Sequence, residues 1–283
     1  MGSGSRHIEI GSIYDIPPVP GPNATAPFPY APVGSYFDRT IGSASYNAFQ
    51  FQFNRRYSSG LAYTVSYTWS KDMDYGCEGL YAIEGCSIQN PYKIKSDRSV
   101  ATYDLTHILA ISTIYDVPIG KGRRFSAGNS FLNYVLGGWQ LNNIFTARSG
   151  TPFTISSGAD PANTGNGGQE RPNLVGSPYL SHPSEAGYFN TSAFALPAPY
   201  TFGNLGRNSL RGPGFWNLDT SLFRQFPFWG EGRRVEFRAE AFNVFNAQIL
   251  GNPSSTLSDP NFGRITSTQS TARILQLALK VIF

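Results

Sequence analysis

The sequence lacks two features that define common classes of protein. It contains no run of about 18 apolar residues, which excludes helical membrane spans. Charged residues make up only 14% of its 283 residues, whereas soluble domains contain about 25%. Aromatic residues are as frequent as charged ones, with 16 tyrosines and 21 phenylalanines. Low charge, many aromatics and no apolar block favour a transmembrane β-barrel, in which only alternate residues of each strand are apolar.

Signatures of catalysis are also missing. The histidines His7, His107 and His182 are far apart, and none belongs to an HExxH motif. No GxSxG is present, and the GKG at residues 120–122 lacks the upstream glycine of a phosphate-binding loop. We therefore predict no enzymatic activity, no metal site and no cofactor. The net charge of +4 comes mostly from arginine, which occurs in pairs beside predicted turns. Because these arginines form no continuous basic stripe, no nucleic-acid partner is expected.

Two polar motifs leave alternatives open. Cys77 and Cys86 enclose CEGLYAIEGC, and a local disulfide in an exported protein is favoured over a metal pair because no histidine or third cysteine lies nearby. Asp72 and Asp74 in SKDMDYG could bind calcium, but a solvated turn is favoured because EF-hand spacing is absent. The first residues, MGSGSRHIEIGS, do not have the pattern of a signal peptide.

Strict alternation identifies the strands. In residues 46–56, Phe49, Phe51 and Phe53 point to one face, and glutamine and asparagine point to the other. Residues 61–70 repeat the pattern with large apolar residues against alanine, threonine and serine, and YSSG forms the hairpin turn between them. The polar face carries no charge, whereas the outer face of a soluble sandwich usually carries lysine and glutamate.

The pattern recurs along the rest of the chain. Five further strands are predicted at residues 107–117, 137–150, 215–226, 233–245 and 273–283, with a weaker one at 6–14. Short connections (YSSG, PIGKG and FPFWGEG) alternate with long loops at about 71–104, 158–214 and 246–271. Short periplasmic turns and long external loops are typical of outer-membrane barrels. The predicted fold is all-β, an antiparallel up-and-down transmembrane β-barrel segment of seven or eight strands.

This layout predicts the positions of particular aromatic and charged side chains. Interface aromatics are predicted at the long-loop ends (Trp69 and Trp216) and at the short-turn ends (Trp139 and Trp229). The charged residues that alternate with apolar ones in the strand at 233–245 should line the lumen, and these are Glu236, Arg238 and Glu240. A mutually neutralising charge ladder is favoured for them over a polar pathway wall.

The last strand, RILQLALKVIF, has one fully apolar face, formed by Leu275, Leu277, Leu279, Val281 and Phe283. Its length matches the roughly 9–11 residues that a tilted strand needs to cross a bilayer. An unpaired strand edge in lipid leaves backbone groups without hydrogen bonds, so this strand requires a partner on each side.

The ordered motifs resemble the barrel of TonB-dependent transporters of the Oar-like type. They are SYNAFQFQFNRRYSSGLAYTVSYTWSKDMD, YDLTHILAISTIYDVPIGKGRRF, GGWQLNNIFTARSGTPFTI, YFNTSAFALPAPYTFGNLGRNSLRGPGFWNLDTSLFRQF, EFRAEAFNVFNAQILGNP and RILQLALKVIF. The resemblance implies an outer-membrane receptor for uptake of a scarce ligand. It implies outer-membrane lipid and the barrel-assembly machinery as partners, the latter reading the alternating apolar residues and terminal aromatic of the last strand. It also implies a TonB-type energy-coupling protein that acts through a plug.

This chain departs from that family in extent. The family has an N-terminal carboxypeptidase-regulatory-like domain, a plug and about 22 strands. We therefore expect a partial barrel domain over residues 1–283, with an entry segment and loop at 1–45 and seven strands at 46–283. Such a chain corresponds to the C-terminal third of a transporter, and is expected not to transport without the plug and the remaining strands. The alternatives are a stand-alone eight-stranded barrel with a structural or adhesion role and a soluble β-sandwich binding module.

Overall fold

A computed structural model describes residues 1–13, 20–22, 36–76, 88–126, 129–165, 170–228 and 232–283. The long strands are β1 (Gly2–Ile13), β2 (Tyr36–Ser58), β3 (Leu61–Asp74), β4 (His107–Asp116), β5 (Gln140–Arg148), β6 (Phe215–Pro227), β7 (Arg234–Phe242) and β8 (Ile274–Ile282). Two-residue strands lie at Ser99–Val100, Pro152–Phe153, Asn173–Leu174, Phe194–Ala195 and Leu210–Arg211.

Helical structure is limited to one α-helix, α1 (Ser130–Leu136), and the 3-10 turns Ile94–Asp97 and Thr191–Ala193 among the residues described. Sequence alternation did not predict α1, which lies in the connection between β4 and β5. The prediction that PIGKG is a short connection is therefore wrong, because residues 117–139 separate Asp116 from Gln140. None of these described helices is long and apolar enough to cross a membrane.

The eight long strands form a single antiparallel sheet in sequence order, and Ser99–Val100 pairs with the end of β3. The prediction of an all-β, up-and-down antiparallel fold is therefore confirmed. The turn between β2 and β3 contains Ser59 and Gly60, whose φ angles are 53° and 80°. Positive φ at both central residues matches the twist of the flanking strands, which accounts for the tight YSSG hairpin.

The first two strands are longer than their alternation indicated. β2 begins at Tyr36, so the expected boundary between an entry segment at 1–45 and strands at 46–283 falls inside it. β1 pairs with its first half, from Gly2 opposite Asn47 to Ile13 opposite Tyr36. Residues 36–45 have no regular apolar alternation, and cross-strand pairing, which sequence periodicity does not report, holds them in the sheet.

The strand register divides the sheet into two chemically distinct faces, because directly opposed residues point to the same side. One row on the apolar face links Phe51, Tyr67, Leu109, Ala147 and Trp216 across five strands. The side chains of the adjacent row point to the other face and are small or polar. Large apolar side chains on several strands of the first face are exposed to the surroundings. Such a face needs a nonaqueous environment or a partner to cover it.

β1 and β8 are the two edges of the sheet, and they do not pair with each other in the described structure. β8 is bound on one side to β7 and is exposed along nearly its whole length. β1 lies beside only the first half of β2. A stand-alone eight-stranded barrel requires a closing pair of edge strands, which these eight strands do not make.

Candidate functional site: the loop cap

The long connections fold into a second layer at the end of the sheet where β3, β5 and β7 finish. We define the loop cap as the described residues 88–106, 149–165, 170–214 and 243–273. Instead of a loose set of loops, the cap has its own apolar core, formed by Phe153, Ile155, Phe189, Ala193, Phe194, Leu205 and Leu210. The hydrophobic core of the described chain therefore lies in the cap and not between strands.

Phe189 is at the centre of this core. Its ring centroid lies 5.1 Å from that of Phe262, 5.6 Å from Phe194 and 6.1 Å from Phe153. The rings of Phe194 and Phe262 meet it at steep angles, the edge-to-face arrangement that aromatic pairs favour. Residues from three separate stretches of the chain therefore fix one another's positions.

Buried ion pairs hold the cap together. Arg171 donates from Nη1 to Asp97 Oδ1 at 2.6 Å, and both side chains are buried. Its Nε donates to the carbonyl of Leu205 at 2.8 Å. Burying charges is expensive unless they are paired and hydrogen-bonded, as these are. The pair therefore connects the loop after β3 to the loop after β5.

A second ion pair connects the cap to the sheet. Arg207 contacts the carboxylate of Asp74, the last residue of β3, and its Nε donates to the carbonyl of Asp97 at 3.0 Å. Asp74 is buried, so the predicted solvated turn at this residue is wrong. Its carboxylate is engaged by a guanidinium, which also leaves no support for the calcium alternative. No cluster of three metal-ligating side chains occurs within the described ranges.

Asn208 and Arg211 add polar links beside these pairs. The Asn208 amide donates to the carbonyl of Val100 at 2.8 Å and to Thr102 Oγ1 at 3.1 Å, and its oxygen accepts from Thr154 Oγ1 at 3.0 Å. Arg211 forms an ion pair with the buried Asp104. The loops after β3 and β5 are therefore joined along their length.

The carboxyl groups of Glu170 and Asp160 in the cap have shifted pKa values. Burial, followed by the hydrogen bond with Asp160, raises the pKa of Glu170 to about 7, despite hydrogen bonds from Ala162 N and Thr164 Oγ1. Burial opposes ionisation of Asp160 as well, but bonds from Glu170 and from the backbone amides of Thr164 and Gly165 outweigh it and lower its pKa. The two carboxyl groups therefore share one proton below about pH 7.

A cavity of about 430 Å³ opens in the cap, a size that suits a small ligand. Its lining includes Tyr179, Leu180, Tyr188, Asn208 and Arg211. Tyr179 is 73% exposed. Tyr188 is partly buried, and this burial raises the pKa of its phenol. Aromatic walls with a few polar groups are typical of binding sites. This cavity is the candidate site for ligand contact.

The predicted lumen residues share the polar face of the sheet. Glu236 accepts hydrogen bonds from Arg234 Nε at 3.2 Å and from Gln225 Nε2 at 3.0 Å. Arg238 and Glu240 lie 3.8 Å apart, nitrogen to oxygen. Opposite charges are thus adjacent along this face, although their role in a lumen stays a prediction.

The other predicted side chains lie at the ends of strands. Trp69 and Trp216 are exposed on the apolar face near the cap, and Trp139 lies at the opposite end. Cys77, Cys86 and Trp229 fall outside the described residues. The proposed assembly residues of the last strand are all exposed, namely Leu275, Leu277, Leu279, Val281 and Phe283.

Sequence reasoning missed the residues that organise the cap. Asp97 and Arg171 are 74 positions apart, and neither lies in a motif with recognisable spacing. The core phenylalanines occur singly among glycine, proline and asparagine, without period 2 or 3.6. Only the unusual length of the loop from 158 to 214 pointed to a functional region.

An antiparallel meander with an exposed apolar face, a polar face and short turns at one end defines a membrane-embedded sheet of the outer-membrane type. The family model described as outer membrane beta barrel domain matches residues 1–276, and the chain belongs to this family. Membership supports an outer-membrane location. Neither the search of curated proteins nor that of solved structures gives a match.

Proposed function

We propose that the chain forms part of the barrel wall of an outer-membrane TonB-dependent transporter of the Oar-like type, which takes up a scarce ligand. The ordered motifs along nearly the whole chain support this finer assignment, and family membership supports its coarser part. An open sheet with two available edges is compatible with a larger barrel of about 22 strands.

The observation that carries the proposal is the loop cap. The cap contains a buried core, buried ion pairs and a cavity of about 430 Å³. Loops that only connect strands do not need this degree of order. Ordering a loop costs about 1–2 kcal/mol per residue in backbone entropy. A rigid external surface is what a receptor needs, because a preorganised site does not spend binding energy on ordering itself.

Each part of the chain then has a role in uptake. The cap contacts the ligand from outside, the polar face with Glu236, Arg238 and Glu240 borders the lumen, and the apolar face meets outer-membrane lipid. The barrel-assembly machinery reads the last strand. The TonB-type coupling protein acts through a plug, so energised transport belongs to the complete transporter. We propose no enzymatic role and no nucleic-acid partner.

Growth of cells that produce the complete transporter tests this proposal. Deletion strains are supplied with ferric chelates, cobalamin or oligosaccharides as limiting nutrients, and complemented with wild type or the cap variant Asp97→Ala. We expect a growth defect on one nutrient class that wild type restores and Asp97→Ala does not, and that also appears when the coupling protein is deleted. Lys95→Ala, an exposed change in the same 3-10 turn, is the control. Growth that is independent of the coupling protein on every nutrient would contradict the proposal.

A further inference from the structure

The short-turn end of the sheet carries a structure that neither the barrel fold nor ligand uptake explains. Helix α1 begins after Asn129, whose side chain accepts a hydrogen bond from the amide of Phe131 at 2.8 Å. It ends at Gly137, which packs against Gly120 of the preceding turn so closely that a Cβ on Gly137 would lie 2.8 Å from the Gly120 Cα. The helix is thus held in a defined position.

α1 packs against the apolar face of the sheet. The Tyr134 ring lies 5.9 Å from the Phe226 ring, and Tyr134 Oη donates to the carbonyl of Pro227 at 3.4 Å. Trp139 donates from Nε1 to the carbonyl of Val135 at 3.0 Å, and its ring meets Phe226 edge-on. The helix therefore lies on the side of the sheet that faces lipid.

The outward surface of α1 is apolar and uncovered. Phe131 is 69% exposed, and Leu132, Val135 and Leu136 are exposed as well. Seven residues at 1.5 Å each span only about 10 Å, so α1 cannot cross a bilayer. A short helix with exposed phenylalanine and leucine is suited to lying within the membrane interface.

Cations lie in the turn that precedes this apolar surface. Lys121, Arg123 and Arg124 are exposed in the turn before the helix, and Arg123 lies 3.3 Å from Asp116, its acidic neighbour. More arginines lie at the same end of the sheet, near the end of β2 and at the start of β7, and these are Arg55, Arg56, Arg233 and Arg234. Positive charge thus accumulates where the apolar face ends.

A cavity of about 730 Å³ lies between the turn and the helix, and its lining includes Lys121, Arg123, Ser130 and Arg224. Arg224 is only 5% exposed and contacts the carbonyls of the last helical turn. Its Nε has no hydrogen-bond partner in the described structure. A buried donor without a partner is costly, so an acceptor that reached Arg224 from the cavity would lower the free energy of this corner.

We propose that this corner of the molecule binds one anionic phospholipid, with its phosphate in the basic cavity and its acyl chains along helix α1. The charge of the cavity selects an anion, and the exposed apolar residues beside it select an anion that carries hydrocarbon. Free phosphate satisfies only the first requirement. The site rests on membership of the outer-membrane family and not on the uptake of any ligand.

Fluorescence quenching by brominated lipids tests the site in the full chain, refolded in neutral detergent micelles. Brominated phosphatidylglycerol and brominated phosphatidylcholine are titrated separately, and the variant Trp139→Phe identifies the quenching that arises beside α1. We expect phosphatidylglycerol to quench Trp139 at lower mole fraction than phosphatidylcholine. Equal quenching by the two lipids would overturn the proposal, as would complete displacement of phosphatidylglycerol by inorganic phosphate.

Two paired variants separate the headgroup and chain contributions. Lys121→Gln with Arg123→Gln, both in the cavity lining, should reduce the preference for phosphatidylglycerol by about tenfold, because each cation near an anionic surface contributes to its attraction. The matched control, Lys93→Gln with Lys95→Gln, removes the same charge from exposed positions of the loop cap and should leave the preference unchanged. Phe131→Gln with Leu132→Gln should weaken binding of both lipids and keep the preference. Equal effects of the two lysine-containing variants would show that only overall charge matters and would overturn the site.

Discussion

Phe51 in β2 is 49% exposed, whereas Phe189 in the loop cap is 3% exposed. The same type of side chain is thus exposed in one region of the chain and buried in the other. In the sheet, apolar residues face outward and the polar face carries neighbouring charges; in the cap, apolar residues face inward and charges are buried in pairs. An outward apolar face suits contact with lipid, and an inward apolar core suits contact with water.

The largest expected effect comes from breaking a buried ion pair of the cap. Asp97→Ala leaves the Arg171 guanidinium buried without its carboxylate, which costs about 3–5 kcal/mol. We expect rapid proteolysis within residues 88–106 and 170–211, and an unchanged protease-resistant sheet. Limited proteolysis with mass spectrometry measures this, and the exposed Lys95→Ala is the control. Equal resistance of both variants would show that the cap does not depend on the pair.

A matched pair of substitutions tests the two environments directly. Phe189→Ala removes the central ring of the cap core and should destabilise the cap by about 3–5 kcal/mol. Phe51→Ala removes an exposed ring of the sheet and should leave cap unfolding unchanged. Urea titration, with hydrogen exchange of the cap amides as the readout, measures the stability of the cap in both variants. Similar losses in the two variants would mean that sheet and cap unfold as one unit.

The two faces of β8 provide the next test. Leu277→Arg puts a charge on the apolar face and should cost about 2–4 kcal/mol if it lies near the bilayer midplane. Gln276→Arg puts the same charge on the other face, opposite Glu240, and should cost little. Unfolding in phosphatidylcholine vesicles compares the two. Equal costs would contradict the assignment of a lipid-facing side.

The smallest effect concerns pH. Because the pKa of Glu170 is raised from 4.5 to about 7, the folded cap keeps a proton that the unfolded chain has released between these values. The contribution of Glu170 to the free energy of unfolding is therefore fully present below about pH 4.5 and is lost as pH rises through about 7. Glu170→Gln should flatten this dependence, which urea titrations at several pH values would detect. A dependence of the same size in the variant would assign it to another group.

Sequence alternation predicted the sheet because each strand carries its own period-2 signal. Phe49 to Phe53 and Leu275 to Val281 report their face without any knowledge of their neighbours. It failed for the cap, since contacts such as Asp97 with Arg171 join distant positions and leave no local pattern. It failed for α1 because seven residues make only two helical turns, too few to show a period.

The dispersed origin of the cap surface has a consequence for immunology. The buried pair of Arg171 and Asp97 joins two loops, and Phe262 joins a third to the same core, so the surface that covers these contacts comes from all three loops. An antibody that binds this layer recognises a conformational epitope. Immunisation with a linear peptide copied from any one of these loops would therefore raise antibodies that react with the denatured chain and not with the folded cap.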